Sequence, residues 1–292
     1  MQTTLTFPAD GKTRHQARRG LLIYFAVLVP LSALIQAAII SADLDGGANG
    51  LLAWIVLINA LMLVPTIASV IARLTLREGF ADVAFGIGGR AGRNAIGLAI
   101  VFPIMIGLVA YGLGWTTGVV GFEPRPVAEW LAALIIVLML NLLVSSGEEI
   151  GWRGYMLMRL IDAGVPQPII VSSLIWGAWH IPLVLWAGFA NGPSPIFSAA
   201  VLMVTTLALG YVLARMRLVT GSVWPAIALH VAWNTLIQAG FDPLVVGTQK
   251  TLWIGETRVV TALTLLVAVA IYSRRRWTIK GDRAVFNAYH SA

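Results

Sequence analysis

Three groups of polar side chains interrupt an otherwise apolar chain. Glu148, Glu149 and Arg153 stand in the run EEIGWR, His180 in WGAWHIP, and His230 with Asn234 in ALHVAWN. An ionisable side chain in the middle of a lipid-spanning helix costs about 3 kcal/mol on insertion scales, so such residues mark functional sites by default. Their types suit hydrolysis. A desolvated carboxylate takes a proton from water, an imidazole shares that task, and imidazole or amide N–H groups stabilise the oxyanion that forms on a carbonyl. Cysteine is absent, which removes a thiol nucleophile and thiolate metal ligands. No serine elbow competes for the role of nucleophile.

Spacing divides the work among these residues. Glu149 and Arg153 are four apart with the acid first, the better orientation for a helical ion pair. Glu148 is turned about 100° away and points elsewhere. Gly147 and Gly151 form a small-xxx-small pair that lets another helix approach closely. His180 precedes Pro182, which withholds a backbone donor and predicts a kink beside the imidazole. His230 and Asn234 share one helical face, on a helix with Ser222 as N-cap and Pro225 in its first turn. Asn141 lies seven residues before Glu148, on its face. Gln36 and Asn59 read as interhelical hydrogen bonders, and Trp176, Trp179, Trp152 and Trp233 flank the polar groups.

The elements that must position them are membrane helices. Of 292 residues, 58% are hydrophobic and 11% charged, against about 25% charged in soluble domains. About 20 apolar residues span a bilayer. Eight stretches qualify, roughly 21–41, 51–72, 94–116, 128–147, 168–188, 196–214, 223–241 and 256–273. The expected fold is an all-α polytopic bundle of eight transmembrane helices. The fourth helix should continue past the membrane edge through Met158, until Pro166 and Pro168 end it and start the fifth. With the N-terminus in the cytoplasm, only Arg125, Lys250 and Arg258 of the 20 Lys and Arg fall on the far side. That bias places both termini in the cytoplasm and the protein in the cell membrane. The organisation is a basic leader at 1–20, one membrane domain at 21–273 and a basic tail at 274–292. The apolar run after the leader is longer than a signal-peptide core and reads as an uncleaved first helix. The net charge of +7 follows from these loop charges. No basic face with interleaved aromatics stands outside the lipid, so no nucleic-acid partner is expected.

The motifs, taken in order, resemble those of the CPBP family, the CAAX proteases and bacteriocin-processing enzymes. EEIGWR matches its EExxxR motif, WGAWH its FxxxH motif with Trp176 in place of the usual phenylalanine, and HVAWN its HxxxN motif. VPTIAS around Pro65 and TGSVWPA before His230 are similar as well, so the likeness covers about residues 50–240. The resemblance implies an eight-helix intramembrane glutamic endopeptidase that needs no cofactor. Glu148 would be the catalytic glutamate and His180 its partner in activating water. His230 and Asn234 would stabilise the oxyanion, with Glu149 and Arg153 in support. The substrate would be a membrane-associated protein or peptide, and nothing in the chain marks a prenyl-binding site. These residues should converge on a water-accessible cavity that opens toward the cytoplasm.

Three other readings stay open at this level. Glu148, His180 and His230 form a His₂Glu zinc set in composition, although no HExxH is present. A non-proteolytic scaffold, regulator or bacteriocin-immunity protein would keep the fold without the cleavage. A transporter would use the same side chains as a proton relay.

Overall fold

Long apolar runs broken by Gly, Pro and Asp dictate a helical architecture, and a computed structural model of the chain has one. It describes residues 11–42, 48–189 and 192–274. The helices are α1 (Gly11–Ser41), α2 (Ala48–Leu76), α3 (Gly89–Thr116), α4 (Val127–Gly151), α5 (Leu157–Asp162), α6 (Pro168–Trp186), α7 (Pro195–Thr220), α8 (Trp224–Trp233), α9 (Lys250–Trp253) and α10 (Val259–Arg274). Two short strands, β1 (Gly121–Phe122) and β2 (Val245–Val246), pair antiparallel and tie the α3–α4 connection to the segment after α8. α1 begins ten residues before the apolar run, so the described half of the basic leader is helical. Residues 1–10 of the leader and 275–292 of the tail lie outside the described residues.

Among the described residues, six helices are long and apolar enough to cross a membrane: Gly11–Ser41, Gly50–Leu76, Gly89–Thr116, Val127–Asp162, Pro168–Trp186 and Pro195–Thr220. The protein is therefore a multi-pass, all-α membrane protein. The remaining two expected spans are shorter or interrupted helices. α8 has ten residues and passes into a π-helical segment, Asn234–Phe241, and α10 has 16. Large apolar side chains such as Leu34, Val127 and Ile196 face outward from the bundle. An outward apolar surface is stable in lipid, where the bundle needs no polar coat.

The fourth span carries the first motif. Val127–Asp162 covers 36 residues, about 54 Å at 1.5 Å per residue, against about 30 Å of hydrocarbon. Its outer half is exposed, with Leu131, Ile135, Ile136 and Met139 turned outward. From Ser145 onward it plunges into the bundle. A π-helical turn at Trp152–Met156 separates α4 from α5. Arg73 Nη2 donates to Gly154 O within this turn (3.0 Å), which ties the irregular backbone to α2.

Close packing places α4. A Cβ on Gly151 would lie 2.4 Å from the Pro65 carbonyl carbon, and one on Gly147 would lie 2.6 Å from Leu63 Cδ2. The small-xxx-small pair thus seats α2 directly on α4, and the Thr66 hydroxyl donates to the Gly147 carbonyl. Gly177 in α6 meets Thr206 of α7 in the same manner. Several arginines that the charge pattern counts as loop residues are buried. Arg73 pairs with Asp82, Arg159 with Glu78, Asp82 and Asp162, and Arg217 Nη2 donates to Asp82 O (2.7 Å). A desolvated guanidinium is stable only with such partners, and these bind the α2–α3 connection to α5 and α7. Gln36 bonds across helices as expected, its Nε2 donating to Trp179 O (2.7 Å). Asn59 donates within its own helix, to Ile55 O (2.6 Å).

Candidate functional site

The site forms where α4, α6 and α8 meet. Glu148, at the buried end of α4, is 2% exposed, and Glu149 is fully enclosed. As the i,i+4 spacing requires, Arg153 Nη1 bonds Glu149 Oε1 (2.7 Å). His230 Nδ1 bonds the same oxygen (2.9 Å), a contact between distant motifs that no spacing rule reveals. A carboxylate only accepts, so Nδ1 carries the proton and Nε2 is left facing Glu148 Oε1 at 4.0 Å. A single water held at ordinary hydrogen-bond distance from both atoms fits that separation.

The other Glu148 oxygen is held differently. Oε2 accepts from Trp176 Nε1 (2.8 Å) and Trp152 Nε1 (3.3 Å). Phenylalanine at position 176 would have no such donor, so the departure from the family pattern adds a hydrogen bond to the central carboxylate. Arg153 Cζ lies 4.5 Å over the Trp176 ring, and Trp176 meets the rings of His180 and His230 edge-on at centroid distances of 5.8 and 5.4 Å. Trp176 is thus the hub of the site rather than a pocket wall. Gly210 of α7 leaves room for the guanidinium, since a Cβ there would come within 3.2 Å of Arg153 Nη2.

His180 lies on α6, which continues through Pro182 to Trp186. Its Nδ1 donates to Trp176 O (2.9 Å), which leaves Nε2 as the ring's acceptor atom. Trp179 and Phe189 close around the imidazole at 4.8 and 6.1 Å. Trp179 is in turn fixed by Ser32 Oγ of α1 (2.8 Å).

Asn234 begins the π-helical segment after α8. Its Nδ2 donates to Asn141 Oδ1 (3.3 Å) and Ser145 Oγ (3.4 Å) on α4, so Asn141 belongs to the site as its register predicts. Ser222 accepts the Trp224 amide at the head of α8 (3.2 Å), with Pro225 one residue on. The EEIGWR and HVAWN motifs both run into π-helical turns, which recur at functional positions. No periodicity in the sequence predicts them.

A cavity of about 440 Å³ is lined by Ile39, Trp54, Leu183, Gln238, Glu256 and Phe189, whose ring stacks on His180. It sits at the end of the bundle that carries the α1–α2 and α6–α7 connections. In the topology expected from the charges this is the non-cytoplasmic end, opposite to the expected cytoplasmic opening. The reason lies in α6: His180 is close to its C-terminal end, so Phe189 stands over the ring. Gln238 and Glu256, outside every sequence motif, also reach this region. Among the described residues, no three His, Asp or Glu side chains are grouped so as to hold a metal ion.

A buried carboxylate, two imidazoles and an amide carried by these helices are groups whose chemistry suits hydrolysis. Residues 129–236 match the family model described as type II CAAX prenyl endopeptidase Rce1-like. The matched segment runs from Glu129 to Leu236 and contains Glu148, Glu149, Arg153, His180, His230 and Asn234. It is similar to a CAAX-type membrane protease over that length. No curated protein matches the chain.

Proposed function

We propose that the protein is an intramembrane endopeptidase that hydrolyses peptide bonds of membrane-associated proteins or peptides with a water activated by Glu148 and His180. The observation that carries this reading is the meeting of three separate motifs on Glu148. One of its oxygens is pinned by two indole N–H groups and the other faces His230 Nε2 across 4.0 Å. Oε1 is then the free base. His180 offers Nε2 as a second acceptor for the same water. Attack on the peptide carbonyl transfers the water proton to this pair, and it passes to the leaving amine as the C–N bond breaks.

His230 and Asn234 serve the oxyanion. With Nδ1–H committed to Glu149, His230 can donate from Nε2 only as an imidazolium. The charges of Glu148, Glu149, Arg153 and an imidazolium at His230 sum to zero, the condition under which such a cluster is tolerable away from water. Asn234 Nδ2 makes only long bonds to α4 and can exchange them for the developing charge. The proposal extends to topology: eight spans in the cell membrane, α8 with its π-helical segment and α10 being the last two, and both termini cytoplasmic.

The test is cleavage of quenched-fluorescence peptides with an apolar membrane anchor by purified protein in proteoliposomes. Wild type should cleave and Glu148→Gln should lose about 10²–10⁴ in rate, with insertion and thermal stability retained because the amide oxygen still accepts from the indoles. Chelator should leave the rate unchanged. Binding of the peptides without cleavage would favour a scaffold of the same fold. Loss of activity to chelator with recovery on added zinc would favour the metal reading.

A further inference from the structure

We infer that Glu256, in the connection between α9 and α10, is a positioning residue that sets the orientation of the Asn234 side-chain amide through Gln238. The inference rests on the oxyanion role proposed for Asn234, and Gln238 and Glu256 lie outside the segment that matches the family model.

The chain of contacts is polar in one direction only. Glu256 Oε1 accepts from Trp233 Nε1 (2.9 Å) and from Gln238 Nε2 (3.0 Å). A carboxylate has no hydrogen to give, so Gln238 must present its NH₂ group there rather than its oxygen. The same Nε2 reaches Asn234 Oδ1 (3.3 Å). Asn234 must therefore turn its carbonyl toward Gln238 and its NH₂ group the opposite way, toward Asn141 and Ser145 of α4. Asn141 and Ser145 precede Glu148 on α4 by seven and three residues. An amide flipped by 180° would aim an oxygen at the oxyanion and repel it, so a rotation with little steric consequence decides whether the donor exists.

Glu256 is well placed to hold this orientation. Trp233 is 1% exposed and anchors the carboxylate to α8. The Glu256 amide donates to Asp242 Oδ2 (3.5 Å), and Asp242 Oδ1 accepts from the Tyr111 hydroxyl of α3 (2.5 Å). The loop is thereby fastened at both ends. Gln238 and Glu256 also line the cavity that Phe189 borders. Gln238 stands four residues after Asn234 within the π-helical segment.

Two readouts test the inference. In protein labelled with ¹⁵N-asparagine, the Asn234 side-chain amide signals should shift in Glu256→Ala and return in Glu256→Gln, which keeps an acceptor oxygen. In cleavage assays with the anchored quenched peptides, Glu256→Ala should lose turnover toward the about 10²–10³ expected for loss of an oxyanion donor, with KM little changed. Glu256→Gln should recover most of it. Gln238→Glu replaces the donor by an acceptor, so it should invert the Asn234 amide and slow turnover in a protein that still folds. Unchanged Asn234 amide signals in Glu256→Ala would overturn the inference. Equal slowing by Glu256→Ala and Glu256→Gln, in step with thermal stability, would do so too, because Glu256 would then only fasten the loop. Failure of the protease reading is distinct: wild type would cleave no peptide, or Glu148→Gln would cleave as fast as wild type, while the amide signals still decide the relay.

Discussion

Glu149 and Glu148 are neighbours in sequence with opposite duties. Glu149 spends one oxygen on both Arg153 and His230 and is the electrostatic anchor, whereas Glu148 keeps an oxygen free. Removing the anchor leaves a guanidinium and an imidazole buried without their partner. Glu149→Ala should therefore cost about 3–5 kcal/mol, read as a large fall in thermal midpoint in detergent, while Glu148→Gln leaves the midpoint near wild type. Trp176 gives a subtler case. Trp176→Phe keeps an aromatic face under Arg153 but deletes the 2.8 Å donor to Glu148. Turnover should fall about tenfold, equivalent to ~1.4 kcal/mol of transition-state stabilisation, with KM and stability little affected. Unchanged kinetics in Trp176→Phe would mean that Trp152 alone holds the carboxylate.

At the level of elements, the site depends on how closely α4 can approach α2. Gly151 has ordinary helical dihedrals, so its role is space and not backbone freedom. A side chain there would meet the Pro65 backbone at 2.4 Å, and backbone cannot step aside as a flexible side chain can. Gly151→Ala should destabilise the protein by about 1–3 kcal/mol, the usual cost of overpacking. It should also lower turnover more than Arg90→Ala, an exposed change far from the site. The π-helical turns at Trp152–Met156 and Asn234–Phe241 are the second element-level device. The first carries Arg153, which still meets Glu149 at the helical i,i+4 spacing, and the second begins at Asn234 and carries Gln238.

The whole molecule has its two ends tied by different chemistry. One end is clamped by the buried ion pairs of Arg73, Arg159, Asp82 and Glu78. The other holds Asp242, Tyr111, Glu256 and Arg258 around the α8–α10 connection. Burial pushes the Asp242 carboxyl up from its ordinary 3.8 to about 6, with Glu256 adding to the rise and Tyr111 and Arg258 opposing it. Burial raises Glu256 as well. Between about pH 4 and 6 the folded protein then binds more protons at Asp242 than the unfolded chain does. Stability is highest below the unfolded value and is lost as pH rises through the folded one. The thermal midpoint should fall by several degrees between pH 4 and pH 7, and Asp242→Asn should shrink that fall. An identical pH slope in Asp242→Asn would assign the effect to Glu256 or to another group.

Sequence alone determined a good deal of this protein. The length and purity of its apolar runs force membrane helices, because lipid leaves the backbone no other partner. The 3.6-residue period pairs Glu149 with Arg153, aligns Asn141 with Glu148, and sets Gly147 and Gly151 on one close-packing face. The order of EEIGWR, WGAWH and HVAWN was enough to suggest the family and the candidate residues. Tertiary structure decided what depends on contacts between helices. That His230 leans on Glu149, that Trp176 donates to Glu148, and that Glu256 reaches Asn234 through Gln238 are matters of approach between segments 18 to 81 residues apart in sequence. Periodicity carries no signal for such distances. The two π-helical turns escaped it for a related reason. Each inserts into a helix a change of register that costs local hydrogen bonding, and only packing and long-range partners, such as Arg73 at the Gly154 carbonyl, make that change stable.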